Sequence, residues 1–264
     1  MSSFEKLVSI MAQLRSAEGC PWDKEQTHNT LRPYLIEEAY EVLEALDLGD
    51  DQSFKEELGD LLLQVVFHAQ IATEEDRFTI EDISQHIVDK LIRRHPHVFG
   101  EVEANTAGEV LNNWEKIKQQ ERGNKTESVL NGLPAQLPAL LRAHRIQEKV
   151  AQVNFDWDQI NDVLNKVREE FEELADVVGK KEEDQNKSDR LEEEMGDLLF
   201  SLVNVSRHLN ITPEDALRRS NQKFIKRFRY IEDILQLNGE RLDQASFERL
   251  DELWDEAKKI EVEG

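Results

Sequence analysis

The chain has a single cysteine, Cys20, so no disulfide can form within it and no cysteine-rich zinc site can be built. Glycine and proline are scarce as well, 11 and 6 in 264 residues, roughly half their usual share. Few backbone breakers beside abundant Glu, Leu, Ala and Lys favour helices throughout. Long apolar runs are missing too. The two longest, around Leu61–Phe67 and Leu198–Val205, are interrupted by Gln64, Ser201 and Asn204, and both fall short of the ~20 residues that cross a bilayer. Residues 1–14 carry Glu5 and Lys6 early and no apolar signal-peptide core. Positive charge is in deficit: 33 Lys and Arg against 56 Asp and Glu leave a net charge of −23. Nucleic acid, which demands a basic face, and anionic membrane surfaces are disfavoured as partners on that ground. The expectation is a soluble, cytoplasmic protein. A hydrophobic fraction of 39% suffices for a core, and the carboxylate excess needs a reason, either solubility or cation binding.

Apolar residues recur at helical spacing along most of the chain, and no credible strand series occurs. Helices are expected over Phe4–Leu14, from about Thr30 to near Gly49-Asp50, and over Ser53–Thr73, whose middle is apolar nearly all round and predicts a place inside a bundle. Ile80–Arg94, stopped by Pro96, and Ala107–Glu121 follow. After a polar stretch with Gly123, Gly132, Pro134 and Pro138, the pattern resumes over Ala139–Val150, Asp158–Val178, Arg190–Leu209, Pro213–Leu237 and Ser246–Ile260. The segment Gly179–Asp189 reads as a charged loop.

The chain is internally repeated. Glu56-Glu57-Leu58-Gly59-Asp60-Leu61-Leu62 recurs as Glu193-Glu194-Met195-Gly196-Asp197-Leu198-Leu199, identical at six of seven positions. Upstream of each lies Glu-Glu-x-x-Glu, as Glu37, Glu38 and Glu41 and as Glu169, Glu170 and Glu173. Lys90 and Arg94 match Lys223 and Arg227, Trp114 and Lys118 match Trp254 and Lys258, and Trp22-Asp23 matches Trp157-Asp158. One helical module is used twice: residues 1–122, a linker over 123–138, and residues 139–264.

Any one Glu-rich string is most simply a solvated helix face. Two ordered copies, each with the same basic and aromatic tail, are not. Glu38 and Glu41, Glu57 and Asp60, Glu170 and Glu173, and Glu194 and Asp197 are each three apart, hence neighbours on one helix face. If the two helices of a repeat pack antiparallel, four carboxylates converge beside Leu61-Leu62 or Leu198-Leu199, where hydration is expected to be scarce and unpaired charge expensive. Oxygen donors without His or Cys suit Mg²⁺ or Mn²⁺ better than zinc. Gly59 and Gly196, inside helices, imply close approach by a neighbouring helix or a ligand, or else inheritance from the duplicated ancestor. Lys223 with Arg227, and Lys90 with Arg94, share a face at i,i+4 and suit a phosphate clamp or, equally, a surface ion pair. Phosphate-cradling glycine loops and a nucleophile elbow are both missing. Trp114 and Trp254 could stack on a base, although core packing is the commoner fate of a helical Trp.

These residues resemble the MazG family of nucleoside triphosphate pyrophosphohydrolases. The family pattern, Glu-Glu-x-x-Glu followed by Glu-x-x-Asp, is met twice, and Gly19-Cys20-Pro21-Trp22-Asp23 and Arg93-Arg94-His95-Pro96-His97-Val98-Phe99 look like the two-repeat bacterial members. The resemblance implies an all-α fold of tandem helical bundles, a homodimer, Mg²⁺ dependence, and hydrolysis of NTPs or dNTPs to NMP and pyrophosphate. It implies metal ligation by Glu170, Glu173, Glu194 and Asp197, and by Glu38, Glu41, Glu57 and Asp60 in the first repeat.

The repeats are not equivalent. Asn204 and Asn221 stand where the first repeat has Phe67 and Val88, and Pro96 cuts short the helix that continues past Arg227. The second repeat therefore offers more polar groups to a nucleotide and is expected to be the main catalytic site. There Asn204, Asn221, Lys223, Arg227, Trp254 and Lys258 would face substrate, and Glu169 or Glu170 would accept a proton from water. The counterparts Lys90, Arg94, Trp114 and Lys118 would serve a weaker, regulatory or structural first site. Two rival readings are a non-catalytic helical module that binds nucleotides or a protein, and an enzyme restricted to one substrate such as dUTP or dCTP.

Overall fold

The computed structural model describes residues 1–104, 106, 108–110, 113, 114, 117, 128–179 and 186–263, with side chains as far as Ile260. Among the described residues there is no strand, and no helix is long and apolar enough to cross a membrane. The chain divides into two compact units, Met1–Lys125 and Thr126–Gly264.

The first unit runs α1 (Ser3–Leu14), α2 (Pro21–Glu25), α3 (Arg32–Leu48), α4 (Asp51–Glu74), α5 (Ile80–Arg94) and α6 (Pro96–Phe99). Local chemistry sets these limits. Ser2 and Glu5 form a capping box at the start of α1. Gly49, at φ +67°, ends α3 in the left-handed conformation that glycine adopts most easily. The Asp50 carboxylate then accepts from the Gln52 and Ser53 amides and opens α4. Two short helices are additions to the sequence reading. Pro21 and Pro96 each follow a break, but each also opens a new helix, because a proline costs nothing at a first helical position.

Met11, Leu31, Val66, Phe67 and Ile71 form the core of this unit, with Leu7, Val8, Leu14, Leu63 and Ile80 packed around them. The expected burial of α4 holds only for its C-terminal half, which α1 covers. Leu58 and Leu62 before its midpoint, and Val65 just beyond it, are exposed, because α3 packs on one face alone. The helix expected over residues 107–121 lies largely outside the described residues, of which 108–110, 113, 114 and 117 are helical.

The second unit runs α7 (Ala139–Ala151), α8 (Ile160–Gly179), α9 (Lys187–His208), α10 (Pro213–Leu237), a 3₁₀ turn (Leu242–Gln244) and α11 (Phe247–Glu263). Its central pair, α8 on α9, corresponds to α3 on α4, and α7 packs on α9 and α10. A small core of Ile231, Leu235 and Leu253 joins α10 to α11. The expected difference in helix length is present: α10 has 25 residues and α5 has 15.

Candidate active site

In the first unit a two-residue link, Gly49-Asp50, folds α4 back against α3. Residues equally distant from such a turn face each other in an antiparallel pair. Glu41 and Glu57 each lie eight positions from Gly49, and Glu38 and Asp60 each lie eleven. Oxygen atoms of Glu38, Glu41 and Glu57 accordingly come within 4.8 Å of one another. Removal from water, then the charges of Asp60 and Glu41, raise the Glu38 carboxyl above its ordinary range. Burial, then Glu41 and Asp60, do the same to Glu57. Asp60 is thus close enough to be felt, although it stands outside the trio.

The second unit repeats the arrangement between α8 and α9. Glu170, Glu173 and Glu194 form a trio within 4.8 Å, and Glu170 is buried. Burial, followed by Glu170 and Glu194, raises the Glu173 carboxyl. Asp197 falls outside the trio and is exposed, as Asp60 is. The expected dry setting is therefore corrected. Leu62 and Leu199, beside these acids, lie open on the helix surface, since among the described residues no other helix of the same unit covers that face. Of the alternatives for the glycines, one falls: a Cβ placed on Gly59 or Gly196 meets nothing within 4 Å, so among the described residues no neighbouring helix approaches there, and a ligand or inheritance is left.

One contact on α8 has no counterpart in the sequence reading. Lys166 Nζ lies 2.7 Å from Glu170 and 2.8 Å from Glu169. Its signal was a lysine three and four positions ahead of the paired acids, a spacing common on ordinary helix surfaces.

The basic and aromatic tails keep one geometry in both units. The Arg94 guanidinium lies 5.4 Å from the Trp114 ring centre, and that of Arg227 lies 5.4 Å from Trp254. His95 packs edge-on to Trp114, and Phe224 packs beside Trp254. Each indole is therefore half-buried under an arginine. Lys223 and Asn221 are exposed and Lys90 is half-buried, whereas Lys258 pairs with Asp255 at 2.8 Å. Lys118 lies outside the described residues. Asn204 is buried, and its side-chain oxygen accepts from Arg207, which also pairs with Asp156. It sits two helical turns, about 10 Å of rise, beyond Asp197.

A sequence model described as the MazG nucleotide pyrophosphohydrolase domain matches the chain twice, over residues 26–99 and 159–231. The chain belongs to the MazG family. Each MazG match takes in the acids of one carboxylate hairpin and the Lys–Arg pair that follows them. The chain is 51% identical to a nucleoside triphosphate pyrophosphohydrolase/pyrophosphatase MazG of Thermotoga maritima, over 97% of this chain and 95% of that protein. It is 47% identical to a nucleoside triphosphate pyrophosphohydrolase of Escherichia coli K12 over the full length of both. A pyrophosphohydrolase of Mycolicibacterium smegmatis is 39% identical over 61% of this chain and 49% of its own.

Both MazG hairpins suit a hard divalent cation. Their donors are carboxylate oxygens alone, and each trio is close enough to share one ion. Burial and mutual repulsion make the unliganded anions costly, which a cation relieves.

Proposed function

We propose that this MazG protein hydrolyses nucleoside and deoxynucleoside triphosphates, broadly, to the monophosphate and pyrophosphate. It is an enzyme of the hydrolase class. Mg²⁺ is its cofactor, with Mn²⁺ as a substitute, and the second repeat is the principal site. The observation that carries this reading is the paired carboxylate hairpin, three acids within 4.8 Å in each unit.

Glu170, Glu173, Glu194 and Asp197 would hold the metal of the principal site, and Glu38, Glu41, Glu57 and Asp60 that of the other. Bound there, Mg²⁺ supplies Lewis acidity at phosphate and a lowered pKa for water. Glu169 or Glu170, adjacent on the same helix, would take the proton of the attacking water. Lys223 and Arg227 stabilise charge on the departing pyrophosphate. Asn204, Asn221, Trp254 and Lys258 line the approach of the nucleoside. Two observations support the second repeat as principal: the helix bearing Lys223 and Arg227 is ten residues longer than its counterpart, and Phe224 packs against Trp254.

The protein works as a homodimer in this reading. Phe171, Met195, Leu199 and Leu202 on α8 and α9 are exposed large apolar side chains. Some of this face forms an open groove of about 360 Å³ lined by Val167, Phe171, Leu198 and Leu202 with Arg168 and Glu172 at its sides. Apolar surface of that kind marks association.

Incubation with Mg²⁺ and each common triphosphate should release pyrophosphate and monophosphate in equal amounts, with no product in EDTA. Orthophosphate and diphosphate as products would overturn the assignment, and turnover of one nucleotide alone would overturn its breadth.

A further inference from the structure

The two carboxylate trios differ in one respect that bears on how they load metal. In the second, the ammonium of Lys166 sits across the site, 2.7 Å from Glu170 and 2.8 Å from Glu169. The lysine is itself held in place, its side chain 35% exposed and Glu170 buried beneath it. Counting back from the aligned glutamates, the corresponding position in the first repeat is Tyr34, an uncharged ring packed edge-on against Trp22. Among the described residues no lysine or arginine pairs with Glu38, Glu41 or Glu57. Among the described residues the hydrogen bond that reaches the trio from outside it comes from a neutral amide, Gln64 Nε2 at 3.5 Å from Glu38.

We infer that Lys166 is an internal counter-cation of the second carboxylate site, which a divalent metal must displace, so that without nucleotide the first site takes up metal more tightly than the second. The inference rests on the reading of both trios as metal sites and deepens it. An incoming divalent ion meets a buried glutamate whose charge is already matched, and a like charge within a few ångströms that must move away. At the first site the same ion meets carboxylates that only repel one another. Lys166 is thus a positioning residue rather than a metal ligand. Its displacement is unfavourable in the free protein and is offset when a polyanionic triphosphate enters, so the second site fills together with its substrate and the first fills ahead of it.

The test uses the full-length protein and Mn²⁺ without nucleotide, with free Mn²⁺ read by its paramagnetic resonance signal. In a Glu57→Gln background, where the second site alone reports, Lys166→Met should tighten Mn²⁺ binding roughly five- to tenfold. Lys166→Arg, which keeps the charge, should leave it near the parent value. In a Glu194→Gln background, where the first site reports, Tyr34→Lys should weaken binding by a similar factor. Circular dichroism confirms that each variant is folded, and the reciprocal change keeps the inference open to refutation if one variant is not. Equal affinities for the Lys166→Met variant and its parent would overturn the lysine's role while leaving the metal sites standing. Undiminished Mn²⁺ binding in the Glu57→Gln/Glu194→Gln double variant would overturn the metal sites themselves, and the inference with them.

Discussion

Glu57 and Glu194 hold the same place in the two repeats, each the member of its trio contributed by the second helix of the hairpin. Replacing them separates the repeats. Glu194→Gln should lower the rate of pyrophosphate release at least about a hundredfold, the loss of several kcal/mol of transition-state stabilisation. Glu57→Gln should retain most of the activity, and the opposite ranking would move the principal site to the first repeat. A second residue-level expectation concerns pH. Arg15 donates through Nε and Nη2 to the Glu74 carboxylate at 2.9 and 2.7 Å, tying the end of α1 to the end of α4. These hydrogen bonds hold the Glu74 carboxyl below its ordinary range. A depressed folded-state value means that the pair stabilises the first unit above the unfolded carboxyl range and ceases to do so as pH falls through the folded value. Glu74→Gln should therefore cost about 1 kcal/mol at neutral pH, a figure held down by the partial exposure of Glu74. In denaturant titrations the difference should shrink as pH falls below the ordinary carboxyl range and vanish below the folded value. Much of the candidate site was legible at this scale, since the three-residue spacing of the acids puts them on one face before any fold is known. The commitment of Asn204 to Arg207 was not legible, because it depends on where the chain brings Asp156.

At the scale of the helix, the hairpin explains why the motifs have the lengths they do. Glu38 and Asp60, like Glu41 and Glu57, are placed symmetrically about Gly49, so the distance between motifs is a register and not a loose spacer. The second repeat keeps the register with a longer link, since Glu170 with Asp197 and Glu173 with Glu194 are centred on the same point of the chain. Gly59 and Gly196 sit inside these helices with open space where a Cβ would be. Gly59→Ala and Gly196→Ala should each stabilise their unit by about 0.5–1 kcal/mol, seen as a rise of a few degrees in thermal unfolding. Unchanged activity in the stabilised variants would assign both glycines to inheritance. A loss of activity with the rise in stability would assign them to close approach by a ligand or partner. Helix content and the longer α10 were readable from periodicity and from Pro96. The short helices α2 and α6 were not, because a proline after a break marks an end and a beginning with the same residue.

For the whole molecule, duplication gives two hairpins that share a plan and differ in charge. Their apolar outer faces are Leu58, Leu62 and Val65 in one unit and Met195, Leu199 and Leu202 in the other, and they include Leu62 and Leu199, which the sequence pattern puts in a dry setting. Periodicity reports that a face must be covered and not what covers it, which is why the burial of α4 was overestimated. Leu199→Glu should weaken self-association at least tenfold, read as a shift from dimer to monomer in size-exclusion chromatography with light scattering, with helicity retained. A wild-type protein that is already monomeric at micromolar concentration would remove the homodimer. The paired arginine–tryptophan stacks, 5.4 Å in both units, carry a further consequence. Indole emission follows the charge held against the ring, and Trp114 and Trp254 each sit under the guanidinium of their own repeat. Whatever draws an arginine off its ring will change the emission of one repeat and not the other, so beside Trp22 and Trp157 each half of the duplication carries one tryptophan that reports on its own arginine.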